Sequence, residues 1–128
     1  MSGNSVSKYL LDTNAVIYFL NGEEKVAALI AEPMNVINVS FITKIELLCF
    51  ETEDIDVLYA ISEFLKEISV VYINDDIITA AINYRKGIKL KIPDAIIAAT
   101  AKVMGLSLVT ADKELTNKLT DIKTVSPI

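Results

Sequence analysis

The segment Lys91-Ile92-Pro93-Asp94-Ala95-Ile96-Ile97-Ala98-Ala99-Thr100-Ala101 places a proline and an acid directly ahead of an apolar, small-residue helix. Pro93 suits a helix entry, where its missing N–H leaves nothing unpaired. Asp94 falls in the first turn, where a carboxylate meets unpaired backbone donors and the positive end of the helix dipole. Ala95, Ala98, Ala99 and Ala101 allow this helix to approach a neighbour closely. Gly105 then ends it, and Leu106-Ser107-Leu108-Val109 reads as a short apolar strand.

The same alternation extends in both directions. Tyr9-Leu10-Leu11 reads as a buried strand stopped by the turn and cap residues Asp12-Thr13-Asn14, with a short helix over Ala15 to Leu20. A second helix over Glu23 to Ala31 stops before Pro33. Val36-Ile37-Asn38-Val39 is the next strand, followed by a helix from Phe41 capped by Ser40. Asp54 to Ile68 is the longest amphipathic helix. Val70-Val71-Tyr72-Ile73 is a strand, Asn74 to about Lys86 a helix, and a short helix near Asp112 to Leu119 precedes a weak strand at Lys123-Thr124-Val125. Apolar strands without two-residue alternation predict a parallel sheet covered on both faces. The expectation is one α/β domain over residues 8–128, a three-layer sandwich with four to five central strands, preceded by a tail at residues 1–7.

Composition limits the chemistry. The chain has 128 residues, 52% of them hydrophobic, no histidine, and Cys49 as its only cysteine. This excludes an internal disulfide, a cysteine-based zinc site, and histidine-dependent nucleophilic or general-base catalysis. No apolar run approaches the roughly 20 residues of a membrane helix, and a cytosolic protein is expected. A net charge of −5 disfavours nonspecific nucleic-acid binding unless a bound cation reverses the local sign. Arg85, Lys86, Lys89 and Lys91 crowd the approach to Asp94, as a solvated helix end or as a phosphate-contacting patch.

Right-handed crossovers collect strand C-termini and helix N-termini at one edge of such a sheet, where ligands bind. Asp12, Glu46, Asp94 and Asp112 all fall near that edge. Each also has a local explanation. Asp12 can cap its helix, Thr43-Lys44-Ile45-Glu46 matches a capping box in competition with Ser40, Asp94 is a helix-start acid, and Asp112 can cap after Thr110. Local explanations do not account for all four sharing one edge. Clustered carboxylates repel, so either some protonate or a cation is held. All-oxygen donors point to Mg²⁺ or Mn²⁺, which can align a phosphodiester and activate an attacking water.

The pieces Leu10-Leu11-Asp12-Thr13-Asn14, Thr43-Lys44-Ile45-Glu46-Leu47, Pro93-Asp94 through Ala101, and Leu108-Val109-Thr110-Ala111-Asp112 occur in an order and spacing that resemble a PIN-domain ribonuclease. The likeness is to the VapC-type toxins of toxin–antitoxin pairs and covers Tyr9 to about Val125. It implies a PIN-like sheet and Mg²⁺- or Mn²⁺-dependent endoribonuclease activity on RNA. The family's acidic quartet maps to Asp12, Glu46, Asp94 and Asp112, with Asp12 and Asp94 as the usual direct metal contacts. Asn14 and Thr110 match supporting polar positions. It further implies a homodimer and a cognate antitoxin protein, for which Ala15–Leu20 and Glu23–Ala31 offer docking helices.

On that basis Glu46 orients or deprotonates the attacking water or binds a second ion, Asp112 completes the shell through water, and Lys89 and Lys91 steer the RNA backbone. Three alternatives stand beside this one. A receiver module wants paired acids after the first strand, where only Asp12 stands. A phosphatase of the haloacid-dehalogenase kind wants a second Asp where Asn14 is found. A non-catalytic PIN-like module would bind RNA or protein, but has no use for mutually repelling carboxylates.

Overall fold

The computed structural model describes residues 6–128. Its elements run β1 (Ser7–Leu11), α1 (Thr13–Leu20), α2 (Glu24–Ala31), β2 (Asn35–Ser40), α3 (Phe41–Leu48), α4 (Ile55–Glu67), β3 (Ser69–Val71), α5 (Asp75–Gly87), α6 (Ile92–Met104), β4 (Ser107–Val109), α7 (Lys113–Lys118) and β5 (Thr124–Val125). The expected alternation is present throughout, with boundaries displaced by a few residues. Ser7 of the expected tail belongs to the first strand, and residues 1–5 lie outside those described.

All strand pairs are parallel, in the order β3-β2-β1-β4-β5. The chain therefore winds from β1 outward to β3, returns past β1 through α5 and α6, and finishes at β5. Crossovers leave β1 and β4 in opposite directions, so the crevice at their C-terminal ends is a topological switch point.

Side-chain alternation along the strands divides the interior into two layers. Leu10 and Leu108 face one layer with Ile77 and Tyr84 of α5, the alanines of α6, and Leu115 and Leu119. Leu11, Val39 and Val109 face the other with Ala15, Val16, Val26, Ile61 and Phe64. Leu10, Leu11 and Leu108 are fully buried, each contributing roughly 1.5–3 kcal/mol of apolar transfer.

Helix α6 has Lys91 as N-cap, Pro93 in the first turn and Asp94 one residue on. Gly105 closes it in the left-handed region at φ 67°, its N–H donating to Ala101 and Lys102 carbonyls. Ala95, Ala98, Ala99 and Ala101 are all buried. Their lack of bulk sets α6 deep against the sheet and α5, which holds Asp94 at the switch-point edge.

Candidate active site

Strand register aligns the site before any side chain is considered. Leu10 pairs with Asn38 and Leu11 with Val109, which carries Asp12 level with Ser40 on one side and Thr110 on the other. The Asp12 N–H still donates to the Val109 carbonyl at 3.1 Å, so Asp12 leaves the sheet at its last hydrogen bond.

Asp12 is buried, and its Oδ1 accepts the Ala15 N–H at 2.8 Å, capping α1. Its pKa is raised, first by burial and then by the charges of Asp94 and Asp112. Hydrogen bonding from the Thr110 hydroxyl and Ala15 N–H partly offsets this. Asp94 is half-buried, and its pKa is raised by burial, then by Asp112 and Glu46, while Lys91 and Lys118 pull it down. Asp112 is exposed. Its Oδ1 accepts the Leu115 N–H at 3.0 Å, and its own N–H donates to Thr110 Oγ1 at 3.2 Å. Both capping explanations from sequence therefore hold, yet each involves only one carboxylate oxygen.

Glu46 is exposed on α3 and does not form a capping box, the local alternative that the sequence offered beside Ser40. Ser40 caps that helix instead, its Oγ accepting the Ile42 N–H at 3.2 Å. Glu46 Oε1 accepts the Thr13 hydroxyl at 2.6 Å, and Thr13 Oγ1 lies 3.1 Å from Thr43 Oγ1. Thr110 is buried at the end of β4, whereas Asn14 is exposed on the first turn of α1.

The basic residues divide. Lys91 lines a recess of about 150 Å³ together with Lys89, Asp94, Asp112 and Lys118. Lys89 sits at φ 61°, and its Nζ donates to the Lys86 carbonyl at 3.0 Å, closing the end of α5. Thr13 and Lys118 are the participants that sequence reasoning missed. In the sequence Thr13 reads only as a turn residue within the Asp12 motif. Lys118 stands six residues beyond Asp112 on α7, and only its distance along that helix hinted at the placement.

The four acids thus share one edge, where the charges of Asp94 and Asp112 act on Asp12 and those of Asp112 and Glu46 act on Asp94. Among the described residues none of the four is in an ion pair, and no three acidic side chains form a ready-made metal-ligand group. An all-oxygen donor set with buried, mutually repelling carboxylates still fits a hard divalent cation, because Mg²⁺ takes only one or two protein carboxylates and keeps several waters.

Comparison with known proteins bears on this arrangement. A structure of VapBC-1 from nontypeable Haemophilus influenzae gives a TM-score of 0.80 at 24% identity, covering 94% of this chain and 98% of that one. A toxin–antitoxin complex from Klebsiella pneumoniae gives 0.73 at 32% identity, covering 94% and 98%. VapBC2 from Rickettsia felis, bound to a DNA fragment from its promoter, gives 0.79 at 18% identity, covering 93% and 98%. Among curated proteins none matches. The sequence model of the PIN domain family matches residues 9–118, a span that begins in β1 and takes in Asp12, Glu46, Asp94 and Asp112. With the motifs, the parallel sheet and this match in agreement, the chain belongs to the PIN domain family.

Proposed function

We propose that this chain is a VapC-type toxin, a Mg²⁺- or Mn²⁺-dependent endoribonuclease that hydrolyses RNA phosphodiester bonds. The observation that carries the reading is the placement of Asp12, buried, and Asp94, half-buried, at the switch-point edge, where among the described residues neither carboxylate is in an ion pair. Such an arrangement costs the fold stability when both are ionised, and a bound cation would offset that cost.

Asp12 and Asp94 would hold the cation, and Asp112 would reach it through water. The cation supplies charge neutralisation and acidifies a nearby water when bound. Glu46, held by Thr13, accepts the proton that the attacking water loses as its oxygen bonds to phosphorus; the P–O bond to the ribose oxygen breaks, and that oxygen leaves as a hydroxyl by taking a proton from solvent water. Lys91 and Lys118, which line the recess with Asp94, bind flanking phosphates, with Lys89 beside them.

The Klebsiella pneumoniae complex supports an antitoxin partner. A groove of about 740 Å³ lined by Phe19, Leu20, Ile30, Phe64 and Ile68 lies between α1, α2 and α4, and would take an apolar segment of it. The exposed isoleucines 73, 78, 82 and 92 around α5 and α6 offer a face for a homodimer. No helix among the described residues is long and apolar enough to cross a membrane.

Membership in the PIN family sets aside the receiver and phosphatase alternatives. A non-catalytic PIN-like module is the competing reading, favoured by the lack of a preformed three-acid group among the described residues. Purified protein incubated with RNA and Mg²⁺ or Mn²⁺ separates the two. Cleavage that Asp12→Asn and Asp94→Asn each abolish supports the nuclease. No cleavage together with no Mn²⁺ binding by calorimetry supports the module.

A further inference from the structure

Beyond the acids, the same edge carries an aromatic residue that core packing does not explain. Ser40 pairs with Val71, so Tyr72 emerges from β3 just past the line through Asp12, Ser40 and Thr110. It is 61% exposed. Two strand spacings separate it from Asp12, about 10 Å at roughly 4.8 Å each. The Lys44 ammonium donates to the Tyr72 hydroxyl oxygen at 3.2 Å but lies 5.7 Å from the ring centre. It therefore sits off the hydroxyl end of the ring and does not cover a face. Lys44 is also two residues before Glu46 on α3, so a cation and an open aromatic face stand together beside the acids. On a chain of net charge −5, a cation at this position is well placed to offset repulsion of a phosphate.

We propose that Tyr72 and Lys44 form a subsite for one nucleotide of single-stranded RNA flanking the cut, which rests on the nuclease reading above. The base stacks on the open face of the phenol ring, and the ammonium meets an adjacent phosphate. Stacking of this kind is indifferent to base identity, and an unpaired strand is the nucleic acid whose bases are free to stack. Lys91 and Lys118 lie on the far side of Asp12, toward β4 and α7. The strand thus runs along the sheet edge, held by phosphate contacts at one end and by a stacked base at the other.

The test is titration of a fluorescein-labelled oligouridylate with the full chain carrying Asp94→Asn to suppress turnover. Adding Tyr72→Ala is expected to weaken binding about tenfold, the lower range for one stacked base, whereas Tyr72→Phe stays within about twofold. Lys44→Gln is expected to reduce the log–log salt slope by about 0.7, one phosphate contact on a single strand. An abasic ribose-phosphate strand should bind equally with and without Tyr72→Ala. Unchanged oligouridylate affinity in Tyr72→Ala, or an equal loss on the abasic strand, overturns the subsite. If Asp12→Asn meanwhile abolishes cleavage, the nuclease reading stands without it. A parent chain that binds no oligouridylate overturns the subsite too, and the cleavage assay alone then judges the nuclease.

Discussion

The Thr13 hydroxyl donates to Glu46 Oε1 at 2.6 Å, tying the first residue of α1 to α3 across thirty-three positions of sequence. Residues adjacent to Asp12 therefore aim Glu46 at the edge where Asp12 lies. Thr13→Val should lower kcat about tenfold or more with little change in KM, since a misplaced general base loses part of its roughly 10²–10⁴-fold contribution. Thr13→Ser, which keeps the hydroxyl, should restore most of the rate. Single-turnover cleavage of a labelled RNA measures both, and equal kcat in Thr13→Val and the parent would show that Glu46 needs no such support.

The raised carboxylates make a signed prediction about pH. A folded-state pKa above the ordinary 3.8 means that the native state binds more protons than the unfolded state between those two values. Stability then falls as pH rises through that window, and the deficit persists at neutral pH. Asp94→Asn removes the charge, so it should be more stable than the parent at pH 7. The difference should shrink as pH is lowered toward 3.8. Urea denaturation at a series of pH values gives the comparison.

Divalent ions should act on the same deficit. A cation that binds only the native state stabilises by about 2.7 kcal/mol at a hundred times its Kd, several degrees in Tm for a chain of this size. Mn²⁺ should raise the parent's Tm by that amount, and should raise it little in a chain carrying both Asp12→Asn and Asp94→Asn. Differential scanning calorimetry with Mn²⁺ against EDTA reads the effect.

Lys91 and Lys118 influence Asp94 from two different elements, the α6 N-cap and the last turn of α7. Their substitution should weaken RNA contact more than it slows chemistry. Lys118→Ala is expected to raise KM a few-fold, and each lysine removed should flatten the salt dependence by about 0.7 in log–log slope. The exposed Lys118–Glu114 pair, 3.7 Å apart, contributes too little for a change in Tm to confuse the result.

Lys89 holds a left-handed backbone at φ 61° that costs a side-chain-bearing residue about 1–2 kcal/mol. Lys89→Gly should relieve that cost and match or exceed the parent's stability, while losing the bond to the Lys86 carbonyl. A strained lysine kept beside Asp94 is the pattern expected where a side chain's position matters to function. A Tm well below the parent's would instead show that the closure of α5 depends on this side chain.

Much of the fold is legible from local residues. Pro93 ahead of Asp94, Gly105 at the end of α6, and apolar β-branched runs such as Val36 to Val39 specify element type with little help from the rest of the chain. Boundaries are less legible, because Thr13 and Asn35 join their elements through hydrogen bonds that propensity does not encode. The choice between Ser40 and Thr43 as cap could not be read from sequence, since both match the motif. Tertiary contact settled it, by giving Thr43 to Thr13 and leaving Ser40 to the helix.

By itself the sequence determined the chemistry open to this protein: no histidine, one cysteine and carboxylates at the ends of strands leave oxygen donors and hard cations. It also determined the alternation of elements, because periodicity and capping act within a few residues. Tertiary structure alone decided which side chains meet. Strand register brought Asp12 level with Thr110, burial raised the pKa of Asp12 and Asp94, and the return of the chain past β1 set Lys118 in the same recess as Lys91. Those relationships depend on distances between residues far apart in the chain, which no local pattern contains.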